Sequence, residues 1–148
     1  MRCVCISDTH NKHRDLKLPA GDMIICAGDF TENGTIKEAQ AFLEWYDALP
    51  YKYKILIAGN HEKTFQSMPE QVRELLRQSP RVTYLYDSST TIEGLKFYGW
   101  PWTKHFGPSA IDPDQAFTYP DRLPKFGFQE HRQRYLEAEA SFNPPSDL

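Results

Sequence analysis

Hydrophobic and polar positions alternate in short blocks along the first half of the chain. Apolar runs at residues 2–7, 22–27 and 54–58 each end in polar residues. Residues 35–49, between the second and third runs, carry apolar side chains at helical spacing, and Pro50 ends that pattern. The pattern therefore predicts buried strands that alternate with helices.

A second helix is predicted at residues 69–78, where Pro69 suits the first helical turn. Its inward-facing side chains would be Val72, Leu75 and Leu76. Short apolar strands that alternate with helices favour an α/β fold around a largely parallel sheet. Because 148 residues suffice for one such core and are short for two, we expect a single domain spanning residues 1–148.

The pattern of apolar and polar residues changes in the second half of the chain. Three short strands rich in β-branched or aromatic residues are predicted there, at residues 82–86, 89–93 and 95–98. Glu93 and Gly94 suit a hairpin turn between the last two. Residues 100–128 contain many prolines without a clear period, which indicates a long loop, and residues 129–140 are predicted to form a helix.

Composition and charge exclude several classes of partner. The chain has 17 Lys and Arg against 20 Asp and Glu and no basic run, so we expect no nucleic-acid polymer as a partner. No stretch approaches the roughly 18 apolar residues of a membrane span, so we expect no membrane partner either. Cys3, Cys5 and Cys26 lie in hydrophobic runs and are predicted to be buried, reduced thiols. Such thiols favour the cytoplasm, with the nucleus as the alternative.

Side chains suited to metal ions follow each of the three apolar runs: Asp8 and His10, then Asp29, then Asn60 and His61. In open α/β sheets, sites form at the carboxyl ends of strands, so these groups can converge although they are distant in sequence. If the segment is extended, Asp8 and His10 point the same way and can reach one cation. Gly28 and Gly59 would allow the tight chain reversals that this convergence needs.

Carboxylate, imidazole and amide oxygen ligands suit Mn, Fe or Zn and argue against a thiolate site. A carboxylate such as Asp29 can bridge two cations roughly 3.5–4 Å apart, which together clamp a phosphate and activate a water. His61 would then hydrogen-bond a phosphoryl oxygen or protonate the leaving group. Each motif alone is equally compatible with ordinary turn chemistry, and only the three together favour a functional site.

The motifs Asp8-Thr9-His10, Gly28-Asp29 and Gly59-Asn60-His61-Glu62 resemble the first three signatures of the calcineurin-like metallophosphoesterases. The strings GDFTENG, IAGNHEKTF and YGWPWTKHF are similar to the small branch related to class III cyclic-nucleotide phosphodiesterases. The resemblance implies a two-sheet β-sandwich flanked by helices. It also implies a residue-by-residue assignment, with Asp8, His10 and Asn60 as metal ligands, Asp29 as the bridging ligand and His61 as the catalytic histidine.

The sequence departs from this family downstream. The resemblance calls for further histidines in signatures of the form THG and GHxH, and neither string occurs here. We therefore expect a truncated domain, without its C-terminal part, that binds one cation, or binds cations weakly, instead of two. His13, His105 and His131 are candidate substitute ligands, but solvated loop or helix positions suit them better.

The resulting prediction is a metal-dependent phosphoesterase, impaired by the missing ligands, that acts on small phosphodiesters or phosphomonoesters. The resemblance implies that cyclic nucleotides are among the candidate substrates. The alternative is a non-catalytic phosphate-binding or scaffold domain of the same fold.

Two further choices stay open. Glu62 either orients a ligand or caps the following turn, and Trp100 and Trp102 form either a substrate-stacking wall or ordinary aromatic packing. The sequence does not predict an oligomeric state.

Overall fold

The main sheet consists of four parallel strands. The computed structural model describes residues 1–104 and 116–119, and the strands of this sheet are β1 (Cys3–Ile6), β2 (Met23–Cys26), β3 (Tyr53–Leu56) and β4 (Val82–Tyr84). They lie side by side in chain order. Strands β1 to β3 start and end within two residues of the apolar runs that predicted them, and β4 lies within the strand predicted at residues 82–86. The predicted parallel arrangement is confirmed.

Three helices flank the strands: α1 (Ile36–Ala48), α2 (Lys63–Ser67) and α3 (Pro69–Arg77). Helix α1 begins with a capping box, in which the Thr35 side chain accepts from the Glu38 amide and the Glu38 carboxylate accepts from the Thr35 amide. The helices predicted at residues 35–49 and 69–78 are confirmed as α1 and α3. The short helix α2 was not predicted, because five residues are too few to show a helical period.

An antiparallel hairpin follows the main sheet and is formed by β5 (Ser88–Ile92) and β6 (Leu95–Gly99). Its turn contains Glu93 and Gly94, which both adopt positive φ angles of 50° and 79°, as the favoured two-residue hairpin turn requires. A short parallel pair, β7 (Thr103–Lys104) and β8 (Thr118–Tyr119), lies in the region predicted to be a loop. The helix predicted at residues 129–140 lies outside the described residues.

The two faces of the main sheet are covered by different elements. Odd-numbered residues of β2 and β3, such as Met23 and Ile55, pack with Ile92 and Phe97 of the hairpin. Ile24, Cys26 and Leu56 of the same strands belong to the larger core that contains α1, whose Phe42 and Tyr46 are fully buried. The sheet is thus a central layer between α1 and the hairpin, which confirms the predicted α/β architecture. Full burial of one large apolar side chain stabilises such a fold by about 1.5–3 kcal/mol.

The prediction of buried cysteines is wrong for Cys3 and Cys5. Cys26 is fully buried, whereas Cys3 and Cys5 are exposed, and within the described residues all three are free thiols. Cys3 pairs with Met23 and Cys5 with Ile25, so both thiols lie on the hairpin face of the sheet. They are exposed because the hairpin packs over β2 and β3 and not over β1.

Across the two described ranges, the helices are all too short or too polar to cross a membrane.

Candidate metal centre

Three loops meet at the carboxyl end of the main sheet. We call residues 7–12, 27–35 and 57–62 the loop layer. The first two loops run side by side, since the Asp8 amide donates to the Gly28 carbonyl at 3.1 Å and the His10 amide donates to the Asp29 carbonyl at 3.1 Å. The predicted convergence of the strand-end loops is therefore present.

The backbone of this layer is not extended. Asp8, His10, Asn11 and Asp29 adopt positive φ angles of 53°, 39°, 65° and 53°. Asp, Asn and His tolerate this left-handed region better than other residues with a side chain, but each such residue still costs of order 1–3 kcal/mol. The extended conformation expected from Asp8 to His10 is therefore wrong.

Two glycines allow the second and third loops to approach each other. A Cβ atom on Gly59 would overlap the Asp29 carboxylate and lie 2.8 Å from the Asp29 amide nitrogen. A Cβ atom on Gly28, whose φ is +96°, would lie 2.7 Å from the Gly59 nitrogen. Both positions therefore require glycine, and the close approach places Asp29 directly against the 59–62 turn.

His10, Asp29 and His61 form a group that could hold a metal ion. One ligand atom from each residue lies within 4.8 Å of the other two, and all three residues are half-buried. The imidazole rings of His10 and His61 are edge to face, with centroids 4.4 Å apart. The three donors thus face one small volume.

The hydrogen bonds around the two histidines favour cation binding. Nδ1 of His61 lies 2.8 Å from the Glu32 carbonyl oxygen, which can only accept, so this nitrogen donates a hydrogen bond and Nε2 is the nitrogen left to face the group. Nδ1 of His10 is buried without a hydrogen bond among the described residues, and it lies 3.5 Å from a carboxylate oxygen of Glu32. Two imidazoles, one of which has an unsatisfied buried nitrogen, and one carboxylate fit a divalent cation of the Mn, Fe or Zn type.

The sequence-predicted site residues occupy different places in this arrangement. His10 and Asp29 belong to the three-residue group, and so does His61, which was expected to be catalytic and not a ligand. Asp8 is exposed and is not part of that group. Asn60 is half-buried and adjoins the group through His61. The individual roles expected for Asp8, His10, Asp29, Asn60 and His61 stay predictions.

Glu62 cross-links the loops that carry the group. Its carboxylate is fully buried and accepts four hydrogen bonds: from the amides of Gly59 at 2.6 Å, Asp29 at 2.8 Å and Thr31 at 2.9 Å, and from the Thr31 hydroxyl at 2.8 Å. Burial raises the pKa of this carboxyl, and the hydrogen bonds act in the opposite direction. Of the two alternatives left open by the sequence, the structure favours orientation of a candidate ligand, because Glu62 holds the Asp29 backbone.

Glu32 and Gly34 were not singled out by the sequence analysis. Glu32 contacts both histidines of the group, through its carbonyl and its carboxylate. Gly34, with φ +69°, accepts a hydrogen bond from the Thr64 amide at 3.3 Å, and a Cβ atom there would overlap the His61 carbonyl. Both residues lie in the string GDFTENG, which extends five residues beyond Gly28-Asp29. The similarity of this longer string to the family could have identified them.

The candidate substitute ligand His13 is not solvated, contrary to expectation. It is only 4% exposed, and its ring packs against Phe42 and Trp45 with centroids 5.2 Å and 4.8 Å away. Burial lowers the pKa of this imidazole. His13 is therefore a core residue apart from the metal-binding group, and His105 and His131 lie outside the described residues.

Trp102 takes part in aromatic packing. Its ring is edge to face with Phe117 at 5.6 Å, and its indole nitrogen donates to Asp87 at 3.3 Å. These contacts favour the packing alternative over a substrate-stacking wall for this residue.

A profile of the family described as calcineurin-like phosphoesterase matches residues 1–141. The chain belongs to the calcineurin-like phosphoesterases. The resemblance suggested by the strand-end motifs is thereby confirmed, and the parallel sheet with flanking helices is consistent with the fold of these phosphoesterases.

Individual relatives are similar over much of the chain. Human metallophosphoesterase domain-containing protein 1 is 41% identical over 127 residues, which cover 71% of this chain and 38% of that protein. A UPF0046 protein of Caenorhabditis elegans is 38% identical over 110 residues, which cover 67% of this chain and 38% of that protein. A probable rhamnogalacturonate lyase C of Emericella nidulans is 37% identical over 135 residues, which cover 84% of this chain and 13% of that protein. The calcineurin-like domain described here thus spans less than half the length of these curated relatives, and its predicted truncation stays a prediction.

Proposed function

We propose that this domain is a metal-dependent phosphoesterase that hydrolyses small phosphodiesters or phosphomonoesters, with cyclic nucleotides among its candidate substrates. The observation that supports this most directly is the group formed by His10, Asp29 and His61, whose ligand atoms lie within 4.8 Å of one another. A divalent cation bound there would polarise a phosphoryl oxygen and lower the pKa of a water. The donor set suits Mn, Fe or Zn.

The protein groups have distinct tasks in this proposal. One carboxylate oxygen of Asp29 accepts a hydrogen bond of 3.0 Å from the His61 amide. This bond holds the carboxylate beside His61 in the three-residue group. His61 has one nitrogen engaged by the Glu32 carbonyl, so a single nitrogen remains for function. That nitrogen either binds a cation or donates to the phosphate, and it cannot do both at once.

The number of bound cations is also part of the proposal. Asp8 lies outside the three-residue group, and this favours one well-held cation and a second that is weak or missing. The net charge of -3 supports a small phosphate ester and not a nucleic-acid polymer as substrate. The free thiols suit a reducing compartment, and we place the domain in the cytoplasm, with the nucleus as the alternative.

The test combines Mn²⁺ binding with hydrolysis of bis(p-nitrophenyl) phosphate. We expect Mn²⁺-dependent turnover that EDTA abolishes, and a loss of about 100-fold or more in Asp29→Asn, since that change removes the charged ligand. Asp15→Asn is the matched control, because Asp15 is an exposed carboxylate outside the loop layer.

Three outcomes would contradict the proposal or redirect it. Turnover that survives EDTA, or an Asp29→Asn variant as active as Asp15→Asn, would refute metal-dependent hydrolysis at this site. Calorimetric binding of Mn²⁺ without turnover of any phosphate ester would instead support the non-catalytic phosphate-binding alternative. Two tight Mn²⁺ sites would refute the proposal of one well-held cation.

A further inference from the structure

The peptide unit between Asn60 and His61 is held from two sides. Its carbonyl oxygen accepts a hydrogen bond of 2.7 Å from the Ala116 amide. Its N–H donates to a carboxylate oxygen of Asp29 at 3.0 Å. Because a peptide unit is planar, these two hydrogen bonds together fix the orientation of the backbone that carries His61.

The segment that supplies the Ala116 amide is anchored in the core. Ala116 is 3% and Phe117 is 1% exposed. The Phe117 amide donates to the side-chain carbonyl of Gln66 at 3.1 Å. The Phe117 ring packs against Tyr86 and Trp102 with centroids 5.9 Å and 5.6 Å away. A residue of α2, two buried side chains and aromatic packing therefore hold this short segment in place.

The backbone of Phe117 is also unusual. Its φ angle is 48°, in the left-handed region that large side chains rarely adopt. Such a conformation persists only where the surrounding contacts determine it. Ordinary packing of a long loop does not require a strained residue beside the hydrogen bond to Asn60.

We propose that Gln66, Ala116 and Phe117 form a positioning clamp for the metal centre. This inference rests on the proposed function, because it assumes that Asp29 and His61 bind the cation. Gln66 holds the Phe117 amide, and the adjacent Ala116 amide then holds the Asn60 carbonyl. The clamp fixes the 60–61 peptide unit and, through the His61 N–H, the Asp29 carboxylate. The three residues position the candidate ligands without touching the cation.

Gln66 is the residue through which the clamp can be tested, because its side chain lies at the surface. Gln66→Met keeps the length and the helix propensity of the side chain but removes the acceptor. Gln66→Glu keeps an acceptor oxygen. Gln71→Met makes the same chemical change at an exposed position of α3, so it is the matched control.

Three quantities are measured for each variant: the Mn²⁺ dissociation constant by calorimetry, the exchange rate of the Ala116 amide by NMR, and Tm. We expect Gln66→Met to weaken Mn²⁺ binding by about three- to tenfold, as the loss of one hydrogen bond predicts. Its Ala116 amide should exchange faster even without metal, while its Tm stays close to that of Gln71→Met. Gln66→Glu should restore Mn²⁺ affinity to within about twofold.

The results separate failure of the clamp from failure of the proposed function. If the unmodified domain binds Mn²⁺ and Gln66→Met binds it equally well, the clamp alone is overturned. An equal loss of affinity in Gln71→Met, or no rescue by Gln66→Glu, overturns it as well. If the unmodified domain binds none of Mn²⁺, Fe²⁺ and Zn²⁺, the proposed function and the clamp are both overturned.

Discussion

The body of the main sheet and the loop layer at its carboxyl end are stabilised in different ways. In the body, regular strands and α1 bury apolar side chains, and Phe42 stacks on Tyr46 with ring centroids 5.2 Å apart. In the loop layer, the backbone is strained at Asp29 and several other positions, and the buried carboxylate of Glu62 holds the loops together. Apolar burial is tolerant of small shifts, whereas hydrogen bonds fix positions to within tenths of an ångström.

This difference indicates that the stability of the fold and the geometry of the metal centre can be altered separately. A substitution in the body should lower the free energy of unfolding and leave metal binding by the folded protein intact. A substitution in the loop layer should change both quantities or metal binding alone. Three substitutions, described in order of decreasing effect, test whether the two regions are independent.

Phe42→Ala should have the largest effect on stability. Phe42 is a residue of α1 and is fully buried in the core. Its replacement by alanine loses the transfer free energy of the ring and leaves a cavity. We expect the free energy of unfolding to fall by about 3–5 kcal/mol, measured by urea denaturation. Phe42 also stacks on Phe30 of the loop layer. At temperatures where the variant stays folded, we still expect its Mn²⁺ affinity to remain within about twofold of the unmodified domain, because Asp29 keeps its own hydrogen bonds to Glu62 and His61. A tenfold weaker affinity would show that the body and the loop layer are coupled.

Glu62→Ala should lower both the free energy of unfolding and the affinity for Mn²⁺. Removal of the carboxylate leaves the amides of Gly59, Asp29 and Thr31 without their acceptor in a buried region. We expect the free energy of unfolding to fall by about 2–4 kcal/mol and calorimetric Mn²⁺ binding to weaken at least tenfold, because Asp29 is no longer held. Glu44→Ala, on the exposed side of α1, is the control. Unchanged metal binding in Glu62→Ala would refute the positioning role of Glu62.

The Glu38 carboxylate should give a smaller, pH-dependent effect. Burial acts to raise its pKa, but hydrogen bonds from Thr35 and Asn11 outweigh that effect and lower the pKa from 4.5 to about 2. Because the pKa is lower in the folded state, the unfolded state binds the proton more readily, so the stabilisation is complete above pH 4.5 and is lost as the pH falls towards about 2.

Thermal unfolding of Glu38→Gln across this pH range provides the measurement. The difference in Tm between the unmodified domain and Glu38→Gln should be largest above pH 4.5 and should shrink as the pH falls towards about 2. A constant difference across the range would contradict the hydrogen-bond explanation. Metal binding at neutral pH should change little, since glutamine keeps an acceptor oxygen for Asn11 and Thr35 and Glu38 itself is outside the candidate metal group.

The sequence predicts the body of the fold well because local patterns determine it. The apolar runs locate β1 to β3 to within two residues, and helical spacing locates α1. Glu93 and Gly94 locate the hairpin turn because their backbone conformation is a local property. The motifs also identify His10, Asp29 and His61 as neighbours, since the carboxyl ends of parallel strands meet at one edge.

Other features depend on contacts that sequence patterns do not show. The exposure of Cys3 and Cys5 depends on which strands the hairpin covers. The left-handed backbone at Asp8 and His10 goes with hydrogen bonds from both amides to the neighbouring loop, which no local pattern shows. The partners Gln66 and Phe117 lie 51 residues apart in the chain, and no periodicity indicates their contact.

The contact between Gly28 and Gly59 restricts how this metal centre could be redesigned. Any side chain at either position would collide with the backbone of the opposite loop. An engineer who wishes to change the metal preference should therefore vary the donor atoms at positions 10, 29 and 61 and keep both glycines. Libraries that randomise either glycine would yield mainly variants whose two loops are forced apart.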